Sequence, residues 1–187
     1  MMKIGILGGT FNPPHIGHLI LAQEVYQKLS LDKIFFIPTN IPPHKESHNV
    51  TARDRLTMVR RVIGRDKRFA VLDLEIKRGG VSYTIDTVRE LKRLYPRATF
   101  FLIVGSDLAR DFPTWKYFEG LKKAVSIVVA KRRAYPLEGK TKFIIVDIVQ
   151  MGISSSYIRT LIKKGFSIQY LVTENVARYI EKRKLYK

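Results

Sequence analysis

The 187-residue sequence predicts an α/β chain built on a doubly wound parallel sheet. Three observations predict it. Strand-like and helix-like apolar patterns alternate along the whole chain. The run Ile4-Gly5-Ile6-Leu7 turns through Gly8-Gly9 directly into a helical pattern, the order expected of a parallel-sheet unit. Thr99 leads into a continuously apolar run over 100–104, as in a strand covered on both faces, which ends at Gly105-Ser106-Asp107.

Taken in order, Ile4-Gly5-Ile6-Leu7 suits a first, central strand, and Gly8-Gly9 lets the backbone turn sharply beneath a ligand. A helix beginning near His18 follows, with Leu19, Ile20, Ala22, Val25, Tyr26 and Leu29 at helical spacing. Lys33-Ile34-Phe35-Phe36-Ile37 is the second strand, stopped by Pro38, and a loop over 39–50 carries Pro42, Pro43, His44, Lys45 and His48. Thr51 and Asp54 open a helix whose buried stripe is Leu56, Val59, Val62 and Ile63. Phe69-Ala70-Val71-Leu72 is the third strand. Gly79-Gly80 and Ser82 precede a helix with Ile85, Val88 and Leu91 on one side, ended by Pro96, before the buried strand at 99–104. Residues 124–130 and 143–146 are further strands. Ser154-Ser155-Ser156 introduces a helix with Ile158, Leu161 and Ile162 inward and Gly165 past its end, and Thr173 caps a last helix carrying Val176 and Ile180. Ligands of open parallel sheets bind beyond the carboxyl ends of the strands, so Gly8, Pro38 and Gly105 are expected to face one cleft. With no internal repeat or low-complexity linker, one domain over 1–187 is expected, its C-terminal helical part at about 153–187.

Composition narrows the class. A hydrophobic content of 45% is enough for a proper core at this length. No apolar run is long enough to span a bilayer, and Met1-Met2-Lys3 enters the first strand with no room for a signal peptide. Without cysteine there is no disulfide, thiol chemistry or zinc ribbon, and a cytoplasmic chain with no membrane partner is expected. The net charge of +18, from 34 Lys and Arg against 16 Asp and Glu, raises nucleic acid as a partner. The basic residues are spread over 53–68, 122–133 and 178–187 rather than gathered with interleaved aromatics, so a solvated basic surface that also attracts small anions is favoured over nucleic-acid binding.

Two constellations carry chemistry. Gly8-Gly9-Thr10-Phe11-Asn12-Pro13-Pro14-His15-Ile16-Gly17-His18 places a glycine turn and two imidazoles at a helix N-terminus, where N–H groups and the dipole attract phosphate and imidazole N–H groups can add bonds. His15 and His18 lack a Cys partner or a third ligand at zinc spacing, so no metal site is expected there. Ile153-Ser154-Ser155-Ser156-Tyr157-Ile158-Arg159 sets hydroxyls at a second helix start with a guanidinium one turn on, a second anion site. Either alone has an ordinary structural explanation, as a turn or as a Ser cap with a surface Arg. The pair is much harder to dismiss.

These residues resemble the His-x-Gly-His nucleotidyltransferases and, among them, the bacterial nicotinate-nucleotide adenylyltransferase family, over nearly the whole chain. The superfamily likeness rests on the two phosphate motifs, and the subfamily likeness on Pro42-Pro43-His44-Lys45, Gly80-Val81-Ser82-Tyr83-Thr84-Ile85-Asp86-Thr87, Gly105-Ser106-Asp107 and Phe112-Pro113-Thr114-Trp115. The resemblance implies a Rossmann-like nucleotidyltransferase fold and adenylyl transfer from ATP to nicotinate mononucleotide. It implies that His15, His18 and Arg159 act on the reacting phosphates. Gly8, Gly9, Thr10, Phe11, Lys45, Gly105, Asp107, Ser155 and Ser156 would complete the ATP site, with Asp107 on a ribose hydroxyl. Trp115 would stack on the pyridine, the Thr84 hydroxyl and Lys116 N–H would receive the nicotinate carboxylate, and Asn40, His44 and Tyr83 would complete the mononucleotide site. Mg2+ is implied on substrate phosphates rather than on a dedicated protein site, and a homo-oligomer stays open. Many members have Asp where this chain has Asn12, which removes a charge-based role there. Related transferases acting on nicotinamide mononucleotide, phosphopantetheine or a sugar-alcohol phosphate are the near alternatives, and a basic nucleic-acid-binding module the remote one. Pro14-His15-Ile16-Gly17-His18 also matches class I aminoacyl-tRNA synthetases, but this chain is short for tRNA binding and offers serines and Arg159 where those use a lysine-rich loop.

Overall fold

The computed structural model describes residues 1–43, 50–109, 112–131, 143–149 and 151–187, without the side chains of 107, 108 and 113. In chain order these form β1 (Lys3–Gly9), α1 (Ile16–Lys28), β2 (Lys33–Pro38), α2 (Ala52–Ile63), β3 (Phe69–Val71), α3 (Leu74–Arg78), α4 (Thr84–Leu94) and β4 (Thr99–Gly105). There follow α5 (Ser106–Ala109), a 3-10 turn (Phe112–Thr114), α6 (Phe118–Ala124), β5 (Ser126–Lys131), β6 (Ile144–Asp147), α7 (Ser155–Lys163) and α8 (Glu174–Lys182).

The strands are continuously apolar because both faces of the sheet are covered. Side chains alternate between faces, so Ile4, Ile6, Phe35, Ile37, Leu102 and Val104 pack against Ile85, Val88, Leu91 and Leu121 of α4 and α6. On the other face Leu7, Ile34, Phe36, Ile103 and Val128 meet Leu21, Ala22 and Val25 of α1 and Val59 of α2. Gly5 lies at the centre of that second face. A Cβ there would come within 2.9 Å of Ile103 Cδ1 and Ile34 Cγ1, so only glycine fits.

Among the described residues the sheet has six strands, all parallel, in the order β3-β2-β1-β4-β5-β6. The order reverses between β1 and β4, where a crevice opens in an open parallel sheet. The register shows the opening: β1 follows β2 to Gly9↔Pro38 but pairs with β4 only as far as Ile6↔Leu102, while β4 runs on against β5 to Gly105↔Ala130. Gly8, Pro38 and Gly105 thus end strands on the same side of the sheet.

The C-terminal helices pack on the outer side of α2 through a third apolar cluster, in which Met58 and Val62 meet Ile158, Val172, Val176 and Ile180. Asp54, buried at the start of α2, fastens this layer. Its carboxylate accepts from the hydroxyls of Thr51 (2.6 Å) and Tyr179 (2.8 Å), and Arg183 lies 3.5 Å away. The Ile16 N–H donates to Leu171 O at 3.0 Å, joining the start of α1 to the same layer.

Several boundaries differ from the sequence expectation. α1 begins at Ile16 rather than near His18, because His15 holds the extended N-cap conformation, and its buried stripe is Leu21, Ala22 and Val25. Ala124 closes α6, so β5 starts at Ser126, and β6 starts at Ile144. β3 stops at Val71, and Gly105 belongs to β4. Leu161 and Ile162 are half-buried, leaving Ile158 as the buried residue of α7. Thr173 occupies the N-cap of α8, yet its hydroxyl makes no cap bond and is buried without a partner. Short α3 and α6 were not expected.

Candidate active site

The glycine turn after β1 is open on one side and packed on the other. A Cβ at Gly8 would meet nothing within 4 Å, whereas at Gly9 it would lie 3.1 Å from the Phe11 ring. Phe11, at φ 51°, folds its buried ring back beneath the turn and presents it edge-on to His18, with centroids 5.0 Å apart. His15 and His18 lie 3.8 Å apart by ring centroid. The His15 backbone N–H donates to His18 Nδ1 at 3.1 Å. A neutral His18 accepting at Nδ1 carries its proton on Nε2, which becomes a hydrogen-bond donor. Gly17 leaves room for this packing: a Cβ there would be 3.0 Å from His15 Nδ1 and 3.1 Å from its Cε1, so the ring would have to shift by a few tenths of an ångström.

The second anion motif closes on the first. The Ser154 hydroxyl caps α7 by accepting from the Tyr157 N–H at 3.1 Å. The Ser155 hydroxyl donates to Pro13 O at 2.8 Å, and Arg159 donates to Asn12 O at 2.7 Å and Ser156 Oγ at 3.1 Å. The N-termini of α1 and α7 therefore meet, and their dipoles favour negative charge in the same region. Tyr186 completes the support, donating from its hydroxyl to Asn12 Oδ1 at 2.6 Å. Burial raises the Tyr186 pKa, against the opposing pull of Arg159 and Arg55, so the phenol stays protonated.

A second cluster forms where β2 ends and α4 begins. The Asn40 N–H donates to Ser82 Oγ at 2.8 Å and its side-chain amide to Gly80 O at 3.0 Å, while the Ser82 N–H returns a bond to Ile41 O at 2.9 Å. Beneath lies Glu75, 5% exposed, with its Oε1 accepting from the Thr87 hydroxyl at 2.6 Å. Burial pushes the Glu75 carboxyl above its ordinary range despite the hydroxyls of Thr87 and Ser82 and the charges of Arg78 and Arg55. Opposite the α4 start, the half-buried Trp115 stands edge-to-face on Phe112 at 5.2 Å, and the Lys116 ammonium lies 4.1 Å from the centre of the Tyr83 ring.

The cytidylyltransferase-like family profile matches residues 6–161, a span that contains both motifs. Proteins of Shouchella clausii and Geobacillus thermodenitrificans, each named probable nicotinate-nucleotide adenylyltransferase, are 43% identical over 187 residues, covering all of this chain and 97% and 87% of theirs. The chain belongs to the nicotinate-nucleotide adenylyltransferase family. The fold is shared with the nicotinic acid mononucleotide adenylyltransferase of Plasmodium falciparum solved in complex with NaAD, at TM-score 0.85 and 22% identity, covering 100% of this chain and 98% of that one.

Of the residues that likeness to the nicotinate-nucleotide adenylyltransferase family singled out, the structure brings Gly8, Gly9, Thr10, Phe11, His15, His18, Ser155, Ser156 and Arg159 into one cluster. Asn40, Tyr83 and Thr84 form the second, with Trp115 and Lys116 facing it through the Lys116–Tyr83 contact. Gly105 ends β4 at the crevice. Lys45 and His44 lie outside the described residues, as does the Asp107 side chain. Sequence reasoning missed Arg55, Glu75 and Tyr186. Nothing in the sequence pattern distinguishes an inward-pointing charge from an outward one.

Among the described residues no group of three or more His, Cys, Asp or Glu converges as a metal-binding set. The phosphate cluster consists of N–H, hydroxyl and guanidinium donors, which suits an anion or an anion that brings its own cation. No helix among the described residues is long and apolar enough to cross a membrane.

Proposed function

We propose that the chain transfers the adenylyl group of ATP to nicotinate mononucleotide, giving nicotinate adenine dinucleotide and pyrophosphate, in the cytoplasm and as a single domain. The observation that carries this reading is the closure of Ser155 on Pro13 and Arg159 on Asn12, which draws two phosphate-binding helix starts together. The triphosphate lies over Gly8, Gly9, Thr10 and Phe11, with His15, His18, Ser155, Ser156, Arg159 and Lys45 as donors and Gly105 and Asp107 at the nucleoside. The open space beside Gly8 supports this placement, since any side chain there would fill it.

The acceptor lies across the crevice against Trp115 and Tyr83, with its carboxylate at the Thr84 hydroxyl and Lys116 N–H and with Asn40 and His44 alongside. Thr84 is the first residue of α4, where the helix dipole favours a carboxylate. The half-buried Trp115 ring offers a flat apolar surface for a pyridine.

A phosphate monoester is largely ionised near neutral pH, so its attack in line on the α-phosphorus needs no strong protein base. The chain's contribution is alignment and donation to the oxygens that gain charge as pyrophosphate leaves. His18 Nε2–H and the Arg159 N–H groups supply that donation. Magnesium, when bound to substrate phosphates, neutralises part of their charge. Pyrophosphate release measured side by side with nicotinate mononucleotide, nicotinamide mononucleotide and phosphopantetheine tests the reading. The acid mononucleotide is expected to give the highest kcat/KM, and a preference for phosphopantetheine would overturn it.

A further inference from the structure

Arg55 is a charged residue in the first turn of α2, an amphipathic helix, yet it is only 4% exposed. Its guanidinium crosses between the two halves of the site. Nη1 donates to Thr10 O at 2.9 Å, on the loop leaving β1, and lies 3.4 Å from Thr39 Oγ1. Nη2 donates to Asn40 O at 2.7 Å, on the loop leaving β2. Thr10 adjoins the glycine turn, and Asn40 is bonded to Ser82 and Gly80 at the entrance of α4. Burial pulls the Arg55 pKa below its ordinary value, and interaction with the Glu75 carboxyl opposes that shift.

A buried arginine is retained against a large desolvation cost when its planar fork satisfies acceptors that no smaller group could reach together. Here the acceptors are main-chain carbonyls, which carry no side-chain chemistry of their own. What the fork fixes is the spacing of two loops. We propose that Arg55 is a positioning residue for adenylyl transfer, holding the triphosphate loop and the acceptor-nucleotide loop at the separation that in-line attack requires. The inference rests on the function proposed above and goes beyond it, since the Arg55 guanidinium bonds to the loops themselves, at Thr10 O, Thr39 Oγ1 and Asn40 O.

A bridge of this kind has a kinetic signature. Each half-site keeps its own contacts when the link is cut, so each substrate still binds, but the attacking oxygen and the α-phosphorus lose alignment. Misplacement by about an ångström can cost on the order of a hundredfold in rate. The test is steady-state kinetics of Arg55→Lys and Arg55→Met with ATP and nicotinate mononucleotide, with calorimetric affinities for each substrate alone. Lysine keeps the charge and the packed stem but cannot reach both carbonyls. Expected is a fall in kcat of about tenfold or more, with both KM values and both affinities within about threefold of wild type. Unchanged kcat in a folded variant would overturn the proposal, as would a change confined to one substrate's KM. If Arg55→Met loses its fold, Arg55→Lys decides, and loss of fold in Arg55→Lys as well assigns Arg55 a purely structural role. Wild-type turnover of the two substrates is the control. Its failure would sink the proposed function, and the same split would then be read with whichever acceptor proves active.

Discussion

The Ser155 hydroxyl donates to the Pro13 carbonyl at 2.8 Å, across 142 residues of sequence. It joins the start of one helix to the loop that leads into another. Neither segment alone distinguishes a phosphate site from an ordinary cap or turn, whereas together they bring donors from two helix starts to one place.

Replacing His18 by alanine removes a donor aimed at the phosphates while leaving the buried Phe11 and His15 in place. Turnover is expected to fall by about a hundredfold or more, with the thermal midpoint close to wild type. Steady-state rates together with a thermal melt check this, and wild-type kcat in the variant would remove His18 from the chemistry.

Gly17→Ala tests the packing of the two imidazoles. The new Cβ would press on the His15 ring at 3.0 Å, and that ring lies 3.8 Å from His18 by centroid, so the displacement is passed toward His18. A stability loss of about 1–3 kcal/mol in urea unfolding is expected. Turnover is expected to drop by about tenfold or more through misaligned donors.

Trp115→Ala removes the flat ring from the acceptor side. KM for nicotinate mononucleotide is expected to rise by about tenfold or more, as for loss of one base-stacking aromatic, with KM for ATP unchanged. An equal rise in both constants would place Trp115 in general packing instead.

Asp54 gives the fold an acid-sensitive fastening. Burial raises its pKa, but the hydroxyls of Thr51 and Tyr179 and the charge of Arg183 outweigh that and hold the carboxyl below its ordinary 3.8. The unfolded state therefore binds the proton more readily. The stabilisation is fully present above about pH 4 and is lost as pH falls through the depressed folded value. Asp54→Asn is expected to cost about 1.5–3 kcal/mol at pH 7, the range for hydrogen bonds to a charged group, and much less near pH 2. Urea unfolding of both proteins at the two pH values measures the difference.

The long elements were legible because their apolar residues repeat often enough to fix a period. Ile4 to Leu7 and residues 99–104 read as buried strands, and Leu56, Val59 and Val62 marked the inward stripe of α2. α3 and α6 escaped because five and seven residues hold too few turns to establish one. The start of α1 was placed too late because a histidine is not a usual cap, and only its extended backbone shows that it serves as one. In the candidate site, the residues proposed to face ligand were visible as motifs. Arg55, Glu75 and Tyr186 act on backbone or on neighbouring side chains across long sequence separations, and such contacts leave no local pattern to read.

The bond from Tyr186 to Asn12 bears on how the molecule is made. The two residues lie 174 apart, so the loop and the phenol that holds it cannot order together from local sequence. β1 and α1 can form from neighbouring residues, but the loop between them gains this support only once the third apolar cluster has docked on α2. A chain whose outer layer is loosened would thus keep its sheet and lose the hold on the loop at its centre.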